Sequence, residues 1–96
     1  MKRVRKQELE NLIVQFYSEF VKFQSYDLLE VKMYDTYIFF KDFSDFESKE
    51  EKKKKMKEFS QNLEILSFGN LKVAYMNIDK DCSWMYIANN YELMGN

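Results

Sequence analysis

The chain has 96 residues, of which 46% are hydrophobic and 18% aromatic, so we predict one small domain with its own core rather than a disordered segment. The 15 basic and 16 acidic residues give a formal net charge of −1, which argues against a domain whose main partner is a polyanion. Histidine is absent and Cys82 is the only cysteine, which excludes imidazole-dependent triads, the usual zinc sites and an intramolecular disulfide.

The first predicted element is a helix over residues 7–23. Its apolar residues recur at intervals of three and four, which is the spacing of one helix face. They are Leu9, Ile13, Phe16, Phe20 and Phe23. We expect this face to pack in the core.

Two strands are predicted after this helix. Residues 27–33 alternate apolar and charged side chains, which is typical of a half-buried strand. Residues 37–43 form the densest apolar run of the chain, with four aromatic residues, and we predict a strand that is buried on both faces. Because about three residues separate the two segments, we expect them to form a β-hairpin.

A second helix is predicted next. Residues 44–47 and 48–51 both match the capping box, in which a hydroxyl caps the helix and an acid reaches back, so one of them should begin this helix. Its apolar stripe consists of Met56, Phe59, Leu63 and Leu66. Gly69 follows at the place where a left-handed C-terminal cap is expected.

The remaining segments complete the predicted fold. Residues 71–79 suit a strand and residues 79–81 suit a turn. Residues 82–94 suit a strand or a helix, and we favour the strand because the short turn and similar lengths predict a second hairpin. The predicted fold class is a small α+β single domain, residues 1–96, with the order helix–β-hairpin–helix–β-hairpin (αββαββ) and the helices packed on one face of an antiparallel sheet.

Candidate partner-binding residues fall in two groups. Acidic residues mix with aromatic ones just after the central strand, and aromatic residues recur near the C-terminus; both patterns are typical of protein interfaces. Helix capping and core packing are the alternative explanations. The predicted set is Asp42, Asp45, Phe46, Glu47, Tyr75, Trp84, Tyr86 and Tyr91.

We predict a non-catalytic inhibitor or adaptor that occupies a site on a larger protein or protein–nucleic-acid complex, with no catalytic residue, metal or cofactor. Gly is rare, Pro is absent and residues with AT-rich codons are abundant, so a phage or mobile-element counter-defence protein of the anti-CRISPR kind is one example. A homodimer is an alternative assembly. No apolar stretch approaches the ~20 residues of a membrane helix, and we expect a soluble, cytoplasmic protein.

Two other interpretations use charged residues. The lysine-rich residues 49–57 could contact phosphates and make the chain a nucleic-acid-binding module, although interspersed acids favour a solvated helix face. Asp27, Glu30 and Lys32 are similar to the carboxylates and lysine of some metal-dependent nucleases, although alternation on an exposed strand explains them equally.

Residues 69–79, residues 87–91 and Gly95 resemble the third strand and following helix of the thioredoxin family. The resemblance implies that residues 37–43 form the central strand of that fold and that the last segment is a helix. Because the Cys-x-x-Cys pair of the family is absent, it implies a redox-inactive, incomplete thioredoxin-like domain without a catalytic residue.

Overall fold

The computed structural model describes residues 3–22, 26–45, 48–79 and 81–94. These residues form two α-helices and a four-stranded antiparallel sheet, which confirms the predicted α+β fold. The elements in chain order are β1 (Arg3–Val4), α1 (Lys6–Val21), a 3-10 helix (Tyr26–Leu28), β2 (Leu29–Met33), β3 (Tyr37–Asp42), α2 (Lys49–Leu66), β4 (Leu71–Asn77), β5 (Ser83–Asn89) and β6 (Glu92–Leu93).

The main sheet has the strand order β2-β3-β5-β4, so β3 and β5 are its central strands. Both predicted hairpins, β2–β3 and β4–β5, are present, and β3 pairs with β5 to join them. β1 and β6 form a separate two-residue parallel pair. Within the described residues, neither helix is long and apolar enough to cross a membrane.

Both ends of α2 have the capping residues that the sequence predicts. Ser48 is the N-cap, and its hydroxyl accepts a hydrogen bond from the backbone N–H of Glu51 at 3.1 Å, so the second capping box begins the helix. At the other end, Gly69 has φ 78°, in the left-handed region that glycine adopts without strain. Its N–H donates to the carbonyl of Glu64 at 2.8 Å, which closes the predicted C-terminal turn.

Both helices pack on the same face of the sheet. The ring of Phe40 in β3 lies 4.7 Å from Tyr17 of α1 and 5.4 Å from Phe59 of α2, measured between centroids. Tyr17 and Phe59 also meet edge to face at 4.7 Å. All three side chains are buried, so this aromatic contact joins α1, α2 and the sheet into one core.

The prediction that residues 37–43 are buried on both faces is wrong. Only alternate residues of β3 are buried, namely Ile38, Phe40 and Asp42, whereas Tyr37 is exposed and Phe39 is partly exposed. The helices cover one face of the sheet, and the described aromatic residues on the opposite face remain partly or largely exposed. A one-sided strand with aromatic residues on its outer face thus has the same composition as a strand buried on both faces.

The structure also corrects the thioredoxin resemblance. That resemblance implies a helix in the last segment, whereas residues 83–89 form β5 and pair antiparallel with β3 and β4. The strand that the hairpin argument favoured is therefore confirmed. The sheet that β5 completes is antiparallel throughout, which removes the expected strand-to-helix order at this end of the chain.

Candidate functional site

The sheet face opposite the helices carries a group of aromatic side chains. Residues that lie directly opposite each other in antiparallel strands project to the same face, so the register identifies its members. We call this surface the open face. Its strand positions are Glu30, Lys32, Tyr37, Phe39, Lys41, Lys72, Tyr75, Asn77, Trp84, Tyr86 and Ala88.

Four rings of the open face form a continuous row across three strands. Tyr37 meets Tyr86 edge to face at 5.4 Å, and Tyr86 meets Trp84 edge to face at 5.3 Å. Trp84 in turn stacks on Tyr75 with centroids 5.4 Å apart. Tyr75 is 60% exposed, and Phe39 joins the row by a 5.1 Å contact with Tyr86. Because the rings hold each other in place, they lose little side-chain entropy when a partner covers them.

Charged residues lie beside this row, on β2 and β3. The carboxylate of Glu30 pairs with Lys32 at 2.9 Å and with Lys41 at 3.7 Å. The hydrogen bond from Lys32 lowers the pKa of Glu30, and the same hydrogen bond raises the pKa of Lys32. The ammonium group of Lys41 also lies 5.4 Å from the ring centroid of Phe39. With Lys72 on β4, the open face has three lysines against one glutamate, and it is positive although the whole chain is not.

Asp42 is not on a binding surface, which corrects its prediction as a partner contact. The side chain is fully buried, and one carboxylate oxygen accepts hydrogen bonds from the Tyr17 hydroxyl and the Lys52 ammonium. The other oxygen accepts from the backbone N–H and the hydroxyl of Ser44. The cluster of Tyr17, Asp42, Ser44 and Lys52 therefore ties α1, β3 and α2 together inside the fold.

Lys52 belongs to this internal cluster and not to a solvated lysine surface. It is 4% exposed, and its ammonium also donates to the hydroxyl of Ser44 at 2.7 Å. The other lysines of residues 49–57 are exposed on α2, which packs on the covered face of the sheet. The lysine run and the aromatic row therefore lie on different layers of the molecule.

The other predicted residues have different positions. Tyr75, Trp84 and Tyr86 come together on the open face, whereas Tyr91 is partly buried and packs against the core. Asp45 is exposed in the loop after β3. Phe46 and Glu47 lie outside the described residues.

Sequence reasoning missed Tyr37, Phe39 and Lys41 as site residues. They occupy alternate positions of β3, and Trp84 and Tyr86 occupy alternate positions of β5. The available signal was that two neighbouring strands each carry aromatic residues at every second position, because side chains two residues apart in a strand lie on the same face.

The residues of the nuclease interpretation have a simpler explanation. Both carboxylate oxygens of Glu30 are engaged by lysines, Lys32 being one of them. Asp27 lies in the 3-10 helix before β2. Within the described residues, no cluster of three carboxylate or thiol side chains could hold a metal ion.

A second apolar surface lies at the C-terminal end of α2, which we call the α2 corner and define by Ile65, Leu66 and Phe68. These side chains are 71%, 60% and 93% exposed. Phe68 has φ 54°, a left-handed conformation that a bulky residue adopts only with strain. A depression of about 540 Å³ lies against Ile65 and Phe68. Because the α2 corner is also apolar and exposed, a variant in it can serve as a control for variants of the open face.

Burial raises the pKa of Tyr17 above its ordinary value of 10.0, and the nearby Asp42 carboxylate raises it further. Below pH 10 the hydroxyl is protonated in both folded and unfolded chains, so its contribution to stability is intact. Above pH 10 only the unfolded chain ionises, so the free energy of unfolding falls by about 1.4 kcal/mol per pH unit.

Urea unfolding between pH 9 and pH 11 measures this decline. The variant Tyr17→Phe should lose stability less steeply, whereas Tyr75→Phe, which changes an exposed tyrosine, should follow the wild type. Equal pH slopes for the wild type and Tyr17→Phe would show that Tyr17 ionises as readily in the folded chain as in the unfolded one.

Comparison of the chain with protein-family models, with curated proteins and with solved structures finds no match.

Proposed function

We propose that this chain is a non-catalytic protein-binding module, an inhibitor or adaptor that docks its open face onto a larger protein. The observation that carries the proposal is the row of Tyr37, Tyr86, Trp84 and Tyr75 on the face of the sheet opposite the helices. Tyrosine and tryptophan are enriched at protein interfaces and provide much of the binding energy there.

The surroundings of the row support a protein partner. The rings form an apolar centre, and the Lys32–Glu30–Lys41 network lies to one side of it with Lys72 on the strand at the other side. An apolar centre bordered by charged residues is the usual composition of a protein interface. Because lysines outnumber glutamate on this face, the partner should present an apolar patch with acidic residues around it.

Single-stranded nucleic acid is a second candidate for the same face. Aromatic side chains beside lysines can stack on bases and contact phosphates. Two facts favour the protein: Lys32 and Lys41 share the carboxylate of Glu30, and the lysines of α2 lie on the other layer. Fluorescence polarisation with a labelled oligothymidine separates the two, since strong binding that falls steeply with salt would contradict the protein proposal.

Site-specific photo-cross-linking tests the proposal directly. The photoreactive amino acid p-benzoylphenylalanine replaces Tyr75 on the open face, or Leu12, an exposed apolar residue of α1, as the matched control. In cells that naturally encode the chain, we expect Tyr75 to give one dominant protein adduct and Leu12 to give none. Mass spectrometry then identifies the adduct.

Two other cross-linking results would change the proposal. Equal cross-linking from both positions would contradict a role of the open face. An adduct with a second copy of this chain would replace the larger partner by a homodimer, which sedimentation velocity would detect independently.

A further inference from the structure

The open face is not uniformly covered by rings, because a depression of about 430 Å³ lies at one end of the aromatic row. Its walls are the rings of Tyr37 and Tyr86, and Ala74, Ala88 and Thr36 line the remainder. Its volume is at the lower end of the ~300–1,000 Å³ range that is typical of small-molecule pockets. The depression is therefore large enough to accept a single large side chain.

The composition of this depression is unusual for the chain. The protein contains two alanines, Ala74 and Ala88, against nine Phe and seven Tyr residues, and both alanines line the same depression. Ala74 lies at the irregularity in β4 between Val73 and Tyr75, where the register with β5 shifts. A bulge of this kind redirects side chains locally. The two short side chains leave open the space that larger residues would fill.

A cation lies next to the depression. Lys72 is directly opposite Ala88 in the β4–β5 register, so both residues are on the open face. Lys72 is exposed, and among the described residues no carboxylate forms a salt bridge with it. Lys32 and Lys41, by contrast, share Glu30. Lys72 can therefore pair with an acidic group of a partner without breaking an internal ion pair.

We propose that the depression at Ala74 and Ala88 is an anchor pocket for one bulky apolar side chain of the partner, and that Lys72 contacts a carboxylate beside that side chain. This inference rests on the proposed function and names the chemistry that the open face recognises. The partner segment is an acidic one that presents a leucine, methionine or phenylalanine side chain.

Small probes test the pocket without the partner. In an NMR titration at low salt, N-acetylphenylalanine, which carries a carboxylate, and N-acetylphenylalaninamide, which does not, should both shift the backbone amide signals of Thr36, Ala74 and Ala88. The carboxylate probe should bind up to about fivefold more tightly, the strength of one exposed ion pair. Lys72→Gln should remove that preference. Signals that stay unchanged at millimolar probe, or a preference retained in Lys72→Gln, would overturn the inference.

Filling the depression provides the second test. Ala88→Leu and Ala74→Leu fill it from β5 and β4, so a folding defect in one variant leaves the other usable. Gln15→Leu adds the same side chain at an exposed position of α1, outside the open face, and is the matched control. We expect at least tenfold weaker probe binding in the filled variants and unchanged binding in the control. Unchanged binding in a filled and folded variant would overturn the pocket.

Binding of the partner identified by cross-linking tests the anchor pocket and the docking role of the open face separately. If the filled variants bind the partner as the wild type does while Trp84→Ala binds poorly, the pocket is wrong and the open face stands. If Trp84→Ala also binds normally, the proposed function itself fails. Weak binding by the filled variants with normal binding by Gln15→Leu supports both.

Discussion

Replacing Asp42 by alanine is expected to destabilise the fold by about 3–5 kcal/mol, because it leaves the Lys52 ammonium buried without its counter-charge. The Tyr17 hydroxyl loses its acceptor in the same variant. For a domain of this size each 1 kcal/mol lowers Tm by about 4–8 °C, so a decrease of more than about 12 °C should be seen by circular dichroism. Asp45→Ala, an exposed acid three residues further on, should change stability by less than about 0.5 kcal/mol.

A double-mutant cycle separates the ion pair from the packing around it. Asp42→Asn leaves the buried ammonium uncompensated, and Lys52→Met leaves the buried carboxylate uncompensated. The double variant contains neither charge, so we expect it to be less destabilised than the sum of the two single variants, by about 0.5–3 kcal/mol. Additive effects in urea unfolding would show that the carboxylate and the ammonium do not interact in the folded chain.

The buried cluster shows what the sequence could and could not predict. An acid at the end of an apolar strand is ordinarily a surface residue. That interpretation failed for Asp42 because Lys52 and Tyr17, which hold its carboxylate inside the fold together with the nearby Ser44, lie 10 and 25 residues away in the chain. Lys52 was detectable in principle, since it precedes Met56, Phe59 and Leu63 at intervals of four, three and four on the apolar stripe of α2. Because lysine is normally solvent-exposed, the sequence pattern did not identify Lys52 as part of that stripe.

The hairpins and helices were predictable because local patterns determine them. Alternation identified β2, and the Ser48 capping box and Gly69 mark the two ends of α2. The open face was only partly predictable. Hydrophobicity alone does not distinguish a strand face that is covered by helices from one that carries exposed rings, so Tyr37 and Phe39 were assigned to the core. That ambiguity is resolved only by the tertiary structure, in which α1 and α2 pack on the same side of the four-stranded sheet.

Trp84→Ala is expected to weaken binding to the partner by about 2–4 kcal/mol, which corresponds to a loss of roughly 30- to 1,000-fold in affinity. Trp84 lies within the aromatic row and contacts Tyr75 and Tyr86, so its removal deletes a large apolar surface and loosens the neighbouring rings. Isothermal titration calorimetry with the purified partner measures the effect. Because Trp84 is only partly buried, circular dichroism should show that the variant remains folded.

Phe68→Ala is the control that makes this measurement decisive. It removes an exposed ring from the α2 corner, a surface of comparable apolar character outside the open face. A partner that docks on the sheet should bind this variant as it binds the wild type, whereas Tyr75→Ala should weaken binding in the same direction as Trp84→Ala. If instead Phe68→Ala causes the larger loss, the α2 corner is the docking surface and the row of rings on the sheet has another purpose. The strained backbone and exposed side chain of Phe68 make that outcome a specific alternative, and one pair of titrations distinguishes the two surfaces.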